Sequence, residues 1–261
     1  MSIQKAEAVV LHSRPQGETS KIITLYTREF GKLSLMAKGS RGLQSKYLGA
    51  LESFNHLSIV FYQKEERSLQ YLSQATILNP FMNLRSQLGR TVLAAIPCEI
   101  VERTEVESRP HVQLFDLLLE ALSALDTAER GLRNIVRAFI LHFASLAGFA
   151  PQLYRCRDCG AEAADSDVSF LLRDGSYLCG ACAAEGFGKR LSAAALQTLR
   201  SLAVSSLSTA TRRPVSAALG EELDAFLFDY LAVHLEEMKS CRSLKVLHSL
   251  QNHLSREETE S

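Results

Sequence analysis

Four cysteines in two closely spaced pairs are the residues of this sequence best suited to chemistry. Cys156 and Cys159 form the first C-x-x-C pair, Cys179 and Cys182 form the second, and nineteen residues separate the pairs. This spacing is typical of a structural zinc module, in which two knuckles of two thiolates each complete a tetrahedron with Zn–S bonds of roughly 2.3 Å. Four thiolates leave no open position for a catalytic water, so the predicted Zn²⁺ is structural.

Two other uses of the cysteine pairs compete with zinc. Disulfides are disfavoured, because the sequence shows no export signal and the cytosol keeps thiols reduced. A redox C-x-x-C enzyme needs only one pair, whereas here two equivalent pairs stand in a loop-rich stretch. Asp174-Gly175 predicts a hairpin that folds the second pair back onto the first. Zinc is preferred, and a thiol redox enzyme stays open as a hypothesis. The other two cysteines, predicted to be ordinary buried thiols, are Cys98 and Cys241.

A second group of candidate residues is basic and lies early in the chain. Lys38, Arg41 and Lys46 occupy a loop that also contains glycines, and Lys21 and Lys32 precede it. Glycine lets a backbone approach a ligand closely, and the cations suit phosphate oxygens. This pattern predicts a DNA contact, although a solvated loop that keeps an edge strand soluble explains the composition equally well.

Aromatic residues are interleaved with these cations, and some of them could stack on the bases of a single strand. More of them are expected to belong to the core. The six candidates are Phe30, Tyr47, Phe54, Phe61, Tyr62 and Tyr71.

The charge of the chain is unevenly distributed. The formal net charge is zero, yet residues 1–80 carry ten basic and six acidic side chains, a balance of +4, so the remainder carries −4. A phosphate backbone senses the field within a Debye length of roughly 8–10 Å, so the local excess matters more than the sum. The amino-terminal segment is therefore the predicted nucleic-acid-binding part.

The hydrophobic pattern predicts an α+β multidomain fold. Five short strand-like runs within about 80 residues indicate a small closed barrel, and an OB-fold is the common nucleic-acid-binding example. Beyond Pro80 the period becomes helical, with apolar stripes that begin at Phe115, Leu132 and Leu223 and are expected to share one core. The predicted boundaries are 1–80 for the OB-fold, 81–153 and 189–250 for an α-helical domain, 154–188 for an inserted four-cysteine zinc module and 251–261 for a polar tail.

Several classes of protein lack support in the sequence. The motifs of P-loop nucleotidases, dinucleotide enzymes, serine hydrolases and zinc proteases are missing, and no carboxylate pair stands out for acid–base work. The sequence therefore predicts a binding protein with no catalytic residues. No apolar run suggests a signal peptide or a membrane span, so a cytoplasmic location is expected.

Two parts of the sequence resemble one known family. Residues 17–32 (GETSKIITLYTREFGK), 37–41 (AKGSR) and 45–46 (SK) resemble the amino-terminal signature of the RecO family of bacterial recombination mediators. Residues 148–153 (GFAPQL), which run into the first cysteine pair, resemble that family's junction between helices and zinc module. The resemblance covers nearly the whole chain in the right order.

The resemblance implies a specific function. It implies binding to single- and double-stranded DNA, annealing of complementary strands, and help in loading the RecA recombinase onto DNA coated by single-strand-binding protein, together with RecR. It also implies that the tail of single-strand-binding protein docks on the helical domain, and that the protein is cytoplasmic and nucleoid-associated. The basic residues that match the DNA-associated part of the motif are Lys21, Lys32, Lys38, Arg41 and Lys46. A zinc-stabilised protein adaptor with weak DNA binding is the alternative, and zero net charge and the acidic helical segment favour it.

Overall fold

A computed structural model describes residues 2–42, 44–64, 69–162, 166–184, 186–241 and 243. The chain divides into two compact units, Met1–Asp126 and Thr127–Ser261. The first unit holds the five amino-terminal strands and three helices, and the second holds the four cysteines and the remaining helices. The predicted polar tail, 251–261, lies outside the described residues.

Five strands of the first unit form a closed barrel in the order β1-β2-β3-β5-β4. All neighbours are antiparallel except β3 and β5, which pair in parallel at Leu35–Gln70 and Met36–Tyr71. The prediction of a small five-stranded, OB-like barrel is confirmed. The strands are β1 (Ser2–Gln16), β2 (Ser20–Thr27), β3 (Gly31–Ala37), β4 (His56–Gln63) and β5 (Gln70–Asn79).

Alternation of inward and outward side chains, most regular in β3, builds the barrel core. In β3 every second residue is buried, which is the period-2 pattern of a strand with one face on a core. The β2–β3 connection ends at Gly31, whose φ of +66° favours glycine. A Cβ at Gly31 would lie 2.0 Å from the carbonyl oxygen of Arg109, so the position also needs a residue without a side chain. Arg14 and Pro15 are still part of β1, so the turn to β2 begins after Gln16.

Three helices complete the first unit, and they are α1 (Met82–Ser86), α2 (Leu88–Thr104) and α3 (Val112–Thr127). The ring of Phe115 in α3 lies 6.2 Å from the ring of Tyr26 in β2, and the guanidinium of Arg28 lies 5.7 Å from the Phe115 ring. Tyr26 faces outward and is nevertheless fully buried. Phe115 thus packs part of the apolar stripe of α3 against the barrel exterior and covers Tyr26.

The second unit combines helices with a small sheet of strand order β7-β6-β8. The aromatic ring of Phe170 in the sheet meets Phe226 edge-on at 4.8 Å, and Tyr230 donates a hydrogen bond to the Phe149 carbonyl at 2.6 Å. The first contact packs the sheet on the last long helix, and the second joins that helix to the segment that contains Phe149. The elements are α4 (Leu132–Leu146), β6 (Val168–Leu171), β7 (Ser176–Cys179), β8 (Lys189–Leu191), α5 (Ala193–Val204), α6 (Leu207–Ala210) and α7 (Ala217–His234), followed by a 3₁₀ turn (Glu236–Ser240).

A buried ion pair joins α4 to α7. Arg137 Nε lies 2.7 Å from Asp224 Oδ1, and both side chains are less than one-tenth exposed. The other guanidinium nitrogens donate to the Asn134 side chain at 2.8 Å and to the Gly220 carbonyl at 3.0 Å. Burial of an ion pair costs desolvation energy that only such complete hydrogen bonding offsets. Arg137 is therefore a structural residue of the second unit.

Among the helices of the described residues, none has both the length and the apolar character that crossing a bilayer requires.

Candidate metal centre and nucleic-acid interface

The four cysteine side chains converge in the second unit. The Sγ atoms of Cys156, Cys159, Cys179 and Cys182 all lie within 4.8 Å of one another, and those of Cys159 and Cys179 are 3.7 Å apart. Four thiolates in a tetrahedron with Zn–S bonds of about 2.3 Å would lie about 3.8 Å apart. The residues present thus fit a tetrahedral metal site with four thiolate ligands, and the described residues contain no other group of three or more candidate ligands.

Local backbone structure explains why the cysteines converge. The amide of Gly160 donates to the Cys156 carbonyl at 2.9 Å, and that of Cys182 donates to the Cys179 carbonyl at 3.0 Å, so each pair closes a tight knuckle. The predicted hairpin at Asp174-Gly175 is confirmed, with β6 and β7 paired on either side. A bridge between Cys156 and Tyr177 then sets the first knuckle beside the end of β7, where the second begins.

The electrostatics of the cluster favour a bound cation. Burial acts to raise the pKa of Cys156, but hydrogen bonds from the backbone N–H groups of Cys159, Cys179 and Asp158 bring it down to about 6. Hydrogen bonds with the thiols of Cys159 and Cys179 raise the pKa of Cys182 to about 12. Without a cation the four groups cannot all ionise together, so metal binding would release protons and supply the compensating charge.

His234 and the other two cysteines lie outside this cluster. The ring of His234 stacks on Phe149 at 5.0 Å, and its Nε2 lies 2.9 Å from the Leu172 carbonyl, which indicates packing. Cys98 and Cys241 are buried, as predicted. The metal-site candidates are therefore the four cysteines alone within the part of the chain that the structure describes.

Three of the five predicted DNA-binding cations lie around one edge of the barrel, and we call Lys38, Arg41 and Lys46 the basic rim. All three side chains are exposed. Arg41 donates to the Gly17 carbonyl in the β1–β2 turn at 2.8 Å, and Lys46 donates to the Ser73 carbonyl in β5 at 2.7 Å. These partners are uncharged carbonyls, so they orient the side chains without neutralising them.

The other two predicted cations differ from the basic rim. Lys21 Nζ lies 3.1 Å from a carboxylate oxygen of Glu52, which compensates its charge. Lys32 stands at the opposite end of β3 from Lys38, about 20 Å away at 3.3 Å per strand residue. Its ammonium donates to the Glu102 carbonyl at 2.5 Å, near the end of α2. The structure thus brings Lys21 near the basic rim and does not bring Lys32 there.

The six interleaved aromatic residues separate into two classes. Tyr62 in β4 and Tyr71 in β5 are partly exposed and face outward. The sequence offers no signal that selects these two, because the inward or outward direction follows from strand register. The aromatic residues packed in or against the first unit's core are Phe30, Tyr47, Phe54 and Phe61.

Comparisons with known proteins agree with the geometry. Two family models match in order, Recombination protein O N terminal over residues 1–81 and Recombination protein O C terminal over residues 85–242. The chain is 35% identical over 240 residues to the DNA repair protein RecO of Anaeromyxobacter dehalogenans strain 2CP-C, a match that covers 91% of this chain and 94% of that protein. It is 35% identical over 250 residues to that of Salinibacter ruber, with 94% of each chain covered, and 32% identical over 253 residues to that of Symbiobacterium thermophilum, with 95% and 99% covered. The chain therefore belongs to the RecO family of DNA repair and recombination proteins.

Proposed function

We propose that this chain is a non-enzymatic, DNA-binding recombination mediator. It binds single- and double-stranded DNA, anneals complementary strands and, with RecR, helps to load RecA onto DNA coated by single-strand-binding protein. The observation that carries the proposal is the basic rim on an OB-like barrel, within a chain of the RecO family.

The electrostatics of the basic rim support a phosphate ligand. Lys38 lies with its ammonium 4.6 Å from the Tyr71 ring centroid, while Arg41 and Lys46 bond to neutral carbonyls. All three charges therefore stay available to an anion. Cations of this kind bind the backbone irrespective of sequence, which suits a protein that must act at any break.

The further assignments belong to the same proposal. The four cysteines would hold one structural Zn²⁺ with four thiolate ligands. When bound, this ion would link the two cysteine pairs and stabilise the second unit. The tail of single-strand-binding protein would dock on the helical part, and the protein would act in the cytoplasm at the nucleoid.

The DNA-binding proposal predicts the effect of removing the rim charges. Replacing Lys38, Arg41 and Lys46 together by glutamine, which keeps an N–H donor, should weaken DNA binding at every salt concentration. Each lost phosphate contact lowers the slope of log K against log salt by about 0.7 on single strands and about 0.9 on duplex, so the slope should fall by about 2 to 3. Fluorescence anisotropy of labelled oligonucleotides at several salt concentrations measures both quantities.

Lys32 provides the matched control for this experiment. Replacing Lys32 by methionine also removes one positive charge from the barrel, but that charge lies away from the rim and is bonded to the Glu102 carbonyl. We expect unchanged DNA affinity and a small loss of stability. Affinity and salt slope that stay at the wild-type value in the triple variant would exclude the rim as the DNA site.

A protein adaptor is the second candidate function. The net charge of zero and the ion pair between Lys21 and Glu52 favour it, because both weaken the field that DNA would sense. The adaptor predicts DNA binding only at very low salt. Wild-type binding that persists at moderate salt would reject it.

A further inference from the structure

Four outward-facing apolar side chains form a continuous stripe across the barrel. Tyr71 in β5 pairs with Met36 in β3 on one side and with Tyr62 in β4 on the other, and Tyr62 pairs in turn with Ile3 in β1. Directly paired residues of a sheet share one face and lie about 5 Å apart at Cβ. We call Ile3, Tyr62, Tyr71 and Met36 the tyrosine stripe.

The outward direction of the stripe follows from its neighbours in sequence. Leu35, Phe61 and Leu72 lie in the barrel core, so the adjacent stripe residues must point away from it. Ile3 is 68% exposed, and Tyr62 and Tyr71 are partly exposed. Two tyrosine rings therefore stand side by side on an exterior that water can reach.

One lysine contacts these rings, and other lysines lie on the neighbouring strand segments. The ammonium of Lys38 lies over the Tyr71 ring at 4.6 Å, and Lys46 bonds to the Ser73 carbonyl two residues further along β5. Lys5 on β1 and Lys64 after β4 are both exposed. Exposed apolar rings with lysines nearby suit a ligand that has flat apolar faces and evenly spaced negative charges.

We infer that Tyr62 and Tyr71 form a stacking platform for unpaired bases of single-stranded DNA, with Lys38 holding the adjacent phosphate. The inference rests on the proposed function, because it assumes that the barrel binds DNA. Single strands present every base to an aromatic ring, whereas duplex DNA keeps its bases stacked inside. The basic rim would thus bind both forms, and the tyrosine stripe would add affinity for single strands only.

The test compares full-length wild-type protein with the Tyr62→Ala/Tyr71→Ala and Tyr62→Phe/Tyr71→Phe double variants. Three probes of equal length are used: an oligo(dT) single strand, a duplex, and a single strand of abasic sites. Because stacking on one aromatic ring strengthens binding about fivefold to 160-fold per base, the alanine variant should lose at least fivefold on oligo(dT). It should bind the duplex and the abasic strand like wild type, and the phenylalanine variant should bind all three normally.

Intrinsic fluorescence gives a second readout. The chain has seven tyrosines and no tryptophan, so its emission comes from tyrosine. Oligo(dT) should quench this emission in wild type, and the abasic strand should not. The alanine variant should show a smaller quench with oligo(dT) even at saturation.

The outcomes separate the stacking platform from the proposed function. Equal losses on oligo(dT), duplex and abasic strand, or no loss on any of them, would overturn the platform while wild-type DNA binding stands. A wild-type protein that binds no DNA at moderate salt would instead reject the proposed function. Unchanged melting temperatures of both variants will show that the fold is intact.

Discussion

Replacing Cys179 by serine should abolish stable metal binding and unfold the zinc module. A serine hydroxyl is a poor replacement for a thiolate ligand, and three thiolates do not complete the tetrahedron that the four Sγ atoms outline. Structural zinc contributes about 10–16 kcal/mol in small zinc-finger peptides, which is comparable to the whole stability of a domain. The loss should therefore lower the melting temperature of the second unit by far more than an ordinary core substitution.

Metal content by elemental mass spectrometry and thermal unfolding by circular dichroism measure this effect. The matched control is Cys98→Ala, which removes a buried thiol outside the cluster and should leave the metal content unchanged. Metal-free wild-type protein with an unchanged melting temperature would contradict the structural role. If that metal-free protein also cycled a disulfide between Cys156 and Cys159, the redox hypothesis would replace zinc.

The second large effect is expected at the buried ion pair of the second unit. Replacing Arg137 by methionine preserves much of the side-chain volume but leaves the buried Asp224 carboxylate with the partly exposed Arg133, at 3.5 Å, as its remaining ion-pair partner. Removal of one partner from a buried pair typically costs about 3–5 kcal/mol when the remaining charge is uncompensated, and the contact with Arg133 places the expected loss near the lower end of that range. The side chain of Asn134 and the carbonyl of Gly220 also lose their donors.

Urea unfolding of the full chain, monitored by a signal from the second unit, gives the free energy of unfolding of wild type and each variant. Arg133→Ala is the matched control, because Arg133 is 36% exposed and its contact with Asp224 is longer, so it should cost about 1 kcal/mol or less. The double variant Arg137→Met/Asp224→Leu should recover part of the stability lost in Arg137→Met. Equal free energies for Arg137→Met and Arg133→Ala would show that the buried pair does not stabilise the fold.

Local patterns were sufficient for the elements and for the convergence of the four cysteines. The spacing of Cys156, Cys159, Cys179 and Cys182 and the turn at Asp174-Gly175 predict the converging knuckles, because a knuckle and a two-stranded hairpin depend on few residues close in sequence. The five strands were likewise predictable from local composition and short turns, and their closure into a barrel follows from the apolar face that each must bury.

The packing of the helices was not predictable in the same way. The apolar stripe of α3 resembles those of α4 and α7 in the sequence. Periodicity shows that one face of a helix is apolar, but it does not show which part of the protein covers that face. Only the fold shows that Phe115 lies on Tyr26, an outward barrel residue that would otherwise be exposed to water. Periodicity also could not predict the pairing of Arg137 with Asp224, because these residues are 87 positions apart in the chain.

By itself the sequence determined the strand and helix types, the four cysteines that converge and the cations from which the DNA site is proposed. Tertiary structure decided which of those side chains act together. Strand register separated Lys32 from Lys38, and an ion pair with Glu52 compensates the charge of Lys21 although Lys21 lies near the basic rim. The same register left Tyr62 and Tyr71 side by side on the exterior, while Phe61 and Leu72 turned inward. The physical reason is that composition and period depend on neighbours along the chain, whereas the distance between two charges or two rings depends on how non-local strands pair.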